Sequence, residues 1–119
     1  TRHGWLILYH GVSEKLQANT SEHHLCYSAG VMVLSKEHPQ IIRYRSAEPV
    51  LKPQLPEECH GTVAHVVFPT GIDRRDDLGA TDRFDVYYGM ADNRIGAARL
   101  DVPTELPLDA AADPANAKV

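Results

Sequence analysis

The sequence predicts an all-β chain of repeated, blade-like units. Three observations carry that reading. Between Asp82 and Leu100, Phe84, Val86 and Tyr88 alternate with charged or polar neighbours, Met90-Ala91-Asp92-Asn93 breaks the period, and Ile95 to Leu100 resume it, which describes two strands folded about a polar turn. A weaker copy lies upstream, where Trp5 to Gly11 and Tyr27 to Leu34 match these strands when Gly11 is aligned with Gly89 and Gly30 with Gly96, a longer first loop taking up the difference. No stretch sustains a helical period. Repetition of a multi-strand β unit points to a radial or linear repeat, with β-propeller blades the best match. Two copies cannot close a ring.

In chain order, His3-Gly4 turns into a first strand, Trp5 to His10, apolar on both faces and so expected to lie between neighbours. From Val12 to Leu25 the chain is polar and reads as a long surface loop. Tyr27 to Leu34 return as a buried strand in which Gly30 marks a close backbone approach. Gln40 to Ser46 form an outer strand. Pro49, Pro53 and Pro56 then mark an extended connector that separates the two units. Ala64 to Phe68 read as an inner strand stopped by Pro69-Thr70-Gly71, and Asp73 to Asp77 as a solvated charged loop without the ligand spacing of a calcium loop. The resulting boundaries are 1–46 for part of one blade, 47–63 for the connector, 64–102 for part of the next blade and 103–119 for a flexible C-terminal tail. With three strands in each unit, the first lacks an innermost strand and the second an outermost one. Such a segment exposes strand edges that other blades or a second chain would complete.

Composition narrows the partners. At 119 residues and a net charge of −4 with interspersed signs, the chain carries no basic block suited to nucleic acid or an anionic membrane. Its apolar runs are too short to span a bilayer, and its first residues lack a signal-peptide pattern, although a start at Thr1 rather than Met suggests that the natural N-terminus is missing. Cys26 and Cys59 lack metal or redox spacing and read as free thiols, which favours the cytoplasm over a disulfide-forming compartment. His23-His24, His60 and His65 have no carboxylate or cysteine at ligand spacing, so no metal is expected.

Four ordered motifs carry a resemblance: Gly4-Trp5-Leu6-Ile7-Leu8-Tyr9-His10-Gly11-Val12, Tyr27-Ser28-Ala29-Gly30, Val66-Val67-Phe68-Pro69-Thr70-Gly71, and Val86-Tyr87-Tyr88-Gly89-Met90-Ala91-Asp92 with Ile95-Gly96. Arg45 to Leu51 add the outer strand and connector. Together they resemble the C-terminal part of glycoside hydrolase family 130, the β-mannoside phosphorylases and related hydrolases. The resemblance implies a five-bladed β-propeller, of which this chain covers about two C-terminal blades. It also implies inverting phosphorolysis of a β-mannoside or manno-oligosaccharide to mannose 1-phosphate, with inorganic phosphate as co-substrate and no other cofactor. Phosphate arrives already ionised and needs positioning, whereas a hydrolase needs a second carboxylate to deprotonate water. Hydrolysis by the same fold, or a non-catalytic sugar-binding segment, are the alternatives. The family's catalytic acid lies in the N-terminal half, so none is assigned here and the isolated segment is expected to be inactive.

By the same resemblance His10 falls at the phosphate-binding histidine, and Asp92 at the aspartate that holds mannosyl hydroxyls. Phe68, Tyr88 and Tyr9 are candidate walls for the sugar ring. Met90, Asn93 and Arg94 depart from the family's more frequent residues and bear on the detail of the sugar pocket. Plainer roles stand beside these: an interior histidine at the end of an apolar strand, a turn-capping aspartate, and tyrosines that pack as β-formers.

Overall fold

This computed structural model describes residues 1–107; most of the expected tail, 108–119, lies outside the described residues. The chain folds as two antiparallel three-stranded sheets with almost no helix. The first contains β1 (Trp5–Leu16), β2 (His23–Leu34) and β3 (Ile42–Arg45), in that order. The second contains β4 (Val67–Arg74), β5 (Arg83–Met90) and β6 (Arg94–Asp101), also in order. A short helix, α1 (Pro56–Cys59), interrupts the connector, and Asp76–Leu78 form a single 3-10 turn.

The expected alternation appears on β5, where Phe84, Val86, Tyr88 and Met90 are buried, and on β2, where Ala29, Val31 and Val33 are. Val67, Tyr88 and Met90 form a core with Leu51 and Ala98 packed against it. Glycines make the cross-strand contacts close. Tyr9 lies opposite Gly30, and Tyr88 opposite Gly96. A β-carbon at Gly30 would sit 2.6 Å from the Tyr9 ring, and one at Gly96 2.7 Å from that of Tyr88. These matching pairs make β1 and β2 the counterparts of β5 and β6. They also correct the repeat alignment by one residue, because Tyr9 corresponds to Tyr88, which the pairing of Gly11 with Gly89 had set beside His10.

Five features differ from the sequence expectation. The long loop at 12–25 is mostly strand: pairing continues from Gly11 opposite Ser28 to Leu16 opposite His23, leaving a short turn closed by Gln17 N–H donating to Glu22 O at 2.8 Å. Its apolar residues, Val12, Leu16 and Leu25, are too sparse to form a two-residue period that would announce it. Among the described residues β1 pairs only with β2 and Trp5 is 58% exposed, so this strand is not enclosed on both sides. β4 runs through Pro69-Thr70-Gly71 with a bulge at Thr70, which Pro69 tolerates because β4 is an edge strand. Asp73 and Arg74 therefore belong to β4 rather than to the charged loop. The connector is not purely extended: besides α1, its Leu51 forms a bridge with Ala29, and Val66 just beyond it forms one with Tyr27.

The two ends of the described chain are tied together. Asp82 is fully buried and accepts from the Arg2 backbone N–H and Nε, and from Arg74 Nη2, at 2.9 to 3.0 Å. Burial alone would raise its carboxyl; the Arg2 amide and guanidinium, with Arg74, overcome this and hold it below the usual carboxylate range. Pro103 O lies 2.8 Å from His3 Nε2, and Thr104 Oγ1 accepts from Arg2.

Candidate functional site

The hairpin between β5 and β6 turns through Ala91, Asp92 and Asn93, and Asn93 N–H donates to Met90 O at 3.0 Å. Ala91 and Asp92 adopt left-handed φ angles of 49° and 53°. Two successive left-handed residues suit a primed turn, which ordinarily uses glycine or asparagine. Aspartate tolerates that conformation; alanine does so at a cost of about 1 kcal/mol or more. Packing meets the cost. Ala91 is fully buried, its N–H donates to Val66 O at 2.9 Å, and its carbonyl accepts from Val63 N–H at 3.0 Å. Gly61 closes over it so tightly that a β-carbon there would lie 2.6 Å from Ala91 O. Asp92 is therefore an exposed carboxylate on a rigid tip, and an ionised carboxylate accepts two hydroxyl hydrogen bonds with strong directionality.

Phe68 links the two units. It pairs with Gly89 on β5, three residues before Asp92, and its ring centroid lies 4.3 Å from that of His10 on β1. His10 and Phe68 are thus brought together across the sheets, both with exposed surface, beside the strand end that carries Asp92. Tyr88 is placed differently: only 4% exposed, it packs in the core and donates its hydroxyl to Glu58 Oε1 at 2.7 Å. That gives it a packing role in this chain.

Glu58 is the residue that sequence reasoning missed. It is 2% exposed, and its Oε2 accepts from Gln54 N–H at 2.8 Å and Leu55 N–H at 3.1 Å. Burial opposes its charge, but bonds from the Gln54 amide, the Tyr88 hydroxyl and the Leu55 amide outweigh burial and hold its carboxyl below the usual value. The same surroundings push the Tyr88 phenol up to about 12, through burial first and then the bond to Glu58 and its charge. The signal lay in Pro56-Glu57-Glu58: proline at the first helical position and glutamate at the third mark a helix start.

Elsewhere, Tyr9, Lys15, His24, Cys26, Lys52 and His65 help to line a cavity of about 560 Å³. Strand alternation separates it from His10, which points to the opposite face of β1 from Tyr9. The His24 and His65 rings stack at 4.1 Å, and burial, then His24 and His60, lower the His65 pKa. No group of three or more histidine, cysteine or acidic side chains suited to a metal occurs among the described residues.

Known proteins share this sequence and architecture. The profile of glycoside hydrolase family 130, described as beta-1,4-mannooligosaccharide phosphorylase, matches residues 1–106. A beta-1,2-mannobiose phosphorylase of Thermoanaerobacter sp. is 36% identical over 98 residues, spanning 82% of this chain and 28% of its own length. A beta-1,4-mannooligosaccharide phosphorylase of Ruminococcus albus is 38% identical over 98 residues, spanning 82% of this chain and 27% of its own length. The structure of a beta-1,2-mannobiose phosphorylase from Listeria innocua, in complex with beta-1,2-mannobiose, superposes with a TM-score of 0.66 at 32% identity, covering 85% of this chain and 25% of that one. The chain thus spans about a quarter of the length of these relatives.

Proposed function

The chain belongs to glycoside hydrolase family 130, and from that membership we propose that it forms part of an enzyme that cleaves β-mannosides with inorganic phosphate. The observation that carries this reading is the family match across both sheets, with relatives named as mannoside phosphorylases. In the proposed architecture the two sheets are parts of neighbouring blades of a five-bladed propeller. The correspondence of β1 and β2 with β5 and β6 supports it, since β4 beside β5 then fills in the second sheet the inner position that is open beside β1 in the first.

Asp92 accepts hydroxyl bonds from the mannosyl ring, and Phe68 supplies an apolar wall. His10, backed by that same ring, donates to phosphate. Phosphate oxygen then attacks the anomeric carbon as the glycosidic C–O bond breaks, and an acid outside this chain protonates the leaving oxygen. The two free thiols, Cys26 and Cys59, support a cytoplasmic setting. Incubating the intact protein with mannose 1-phosphate and a panel of acceptor sugars tests the reading in the synthetic direction: phosphate release with a mannose-type acceptor is expected, and release with none of them contradicts it.

A further inference from the structure

Left-handed Ala91, the residue before Asp92, is held from outside its own hairpin. Val63 N–H, at the end of the connector, and Val66 O, just before β4, bracket Ala91, and Val66 N–H in turn donates to Glu58 O at 3.0 Å. The buried Glu58 carboxylate fixes this frame at both ends. One oxygen accepts the Gln54 and Leu55 amides just before α1, and the other accepts the hydroxyl of Tyr88 on β5, four residues before Asp92. Glu58 is therefore joined to the turn by two routes, one through the backbone hydrogen bonds of Val66 and one through the Tyr88 hydroxyl and the covalent chain of β5.

We infer that Glu58 and Tyr88 are positioning residues for Asp92, setting the geometry in which its carboxylate meets the sugar. This rests on the proposed role of Asp92. The turn does not hold itself, because Ala91 lacks glycine's freedom, so its conformation persists only while its surroundings impose it. Removing the Glu58 side chain would leave the buried Tyr88 phenol and two part-buried amides without that acceptor, and they would move to find others. A shift of about 1 Å in a substrate-holding group can cost about a hundredfold in rate.

The test is steady-state kinetics of the intact protein, with mannoside and phosphate varied separately, for Glu58→Ala, Glu58→Gln, Tyr88→Phe and Asp92→Ala. Glu58→Gln keeps a carbonyl for the two amides and offers an NH2 to the Tyr88 oxygen, so it is expected to preserve the mannoside KM within about threefold. Glu58→Ala is expected to raise the mannoside KM at least about tenfold and to lower kcat/KM about a hundredfold, with the phosphate KM within about twofold of the parent. Tyr88→Phe should follow with a smaller loss in the same parameter, and it decides the matter if Glu58→Ala does not fold. A parental mannoside KM in folded Glu58→Ala or Tyr88→Phe, alongside lost turnover in Asp92→Ala, overturns the inference while leaving the role of Asp92 intact. Normal turnover in Asp92→Ala instead removes that role, and this inference with it.

Discussion

The imidazole of His10 on β1 packs at a tilt against the ring of Phe68 on β4, their centroids 4.3 Å apart and their planes inclined by 41°. The contact ties the first sheet to the second and restricts the imidazole proposed to hold phosphate. Aromatic pairs of this kind contribute about 0.5 to 1.5 kcal/mol beyond area burial, so Phe68→Ala in the intact protein is expected to raise the phosphate KM by up to about tenfold. Kinetics at saturating mannoside check this. An unchanged phosphate KM would show that the ring contact does not position His10.

Packing of aromatic rings over glycine gives a stability prediction. Because a β-carbon at Gly96 would meet the Tyr88 ring at 2.7 Å and Met90 Sδ at 2.8 Å, Gly96→Ala should destabilise by about 1 to 3 kcal/mol. Gly71 is the comparison, since its added β-carbon would meet nothing nearer than 3.9 Å. Urea denaturation of the two variants should separate them, with Gly71→Ala close to the parent.

These particulars show how far the sequence could be read. Alternation of Phe84, Val86 and Tyr88 was legible because burying one face of a strand imposes a two-residue period. Register was less so: Gly11 and Gly89 sit in similar motifs, yet the ring of Tyr9 over Gly30 and of Tyr88 over Gly96 fixes the pairing. The extension of β1 and β2 past Gly11 is held by backbone pairing and carries no apolar pattern. His10, Phe68 and Asp92 could be picked out by motif, but the dependence of the Asp92 turn on Glu58 arises from a connector whose prolines suggested extension alone.

The buried carboxylate of Asp82 makes stability sensitive to acid. Its folded pKa lies below the unfolded value, so its contribution is complete above the ordinary carboxylate range and fades as pH falls through the folded value. Asp82→Ala removes buried charge-assisted bonds from Arg2 and Arg74, whose side chains reach solvent, and should cost about 1 to 3 kcal/mol, unfolding at lower denaturant at pH 7. The gap between parent and variant should narrow towards pH 3. A gap that is equal at both pH values contradicts the assignment.

His65 responds in a higher range. Its folded pKa is lowered from the ordinary 6.5, mainly by burial and then by His24 and His60, so the fold favours the neutral ring. Its stabilising contribution is therefore present above that unfolded value and is lost as pH falls below it. Replacing it in His65→Gln should flatten the dependence of melting temperature on pH between about 7.5 and 5.5. Parallel curves for parent and variant would count against it.

The central claim concerns the nucleophile, and product analysis tests it most directly. The intact protein is incubated with a β-linked mannobiose or mannooligosaccharide, with and without inorganic phosphate, and the products are followed by phosphorus NMR and sugar analysis. Phosphorolysis with inversion predicts α-mannose 1-phosphate formed only when phosphate is present. Free mannose released at the same rate in its absence would contradict that prediction and make water the attacking group.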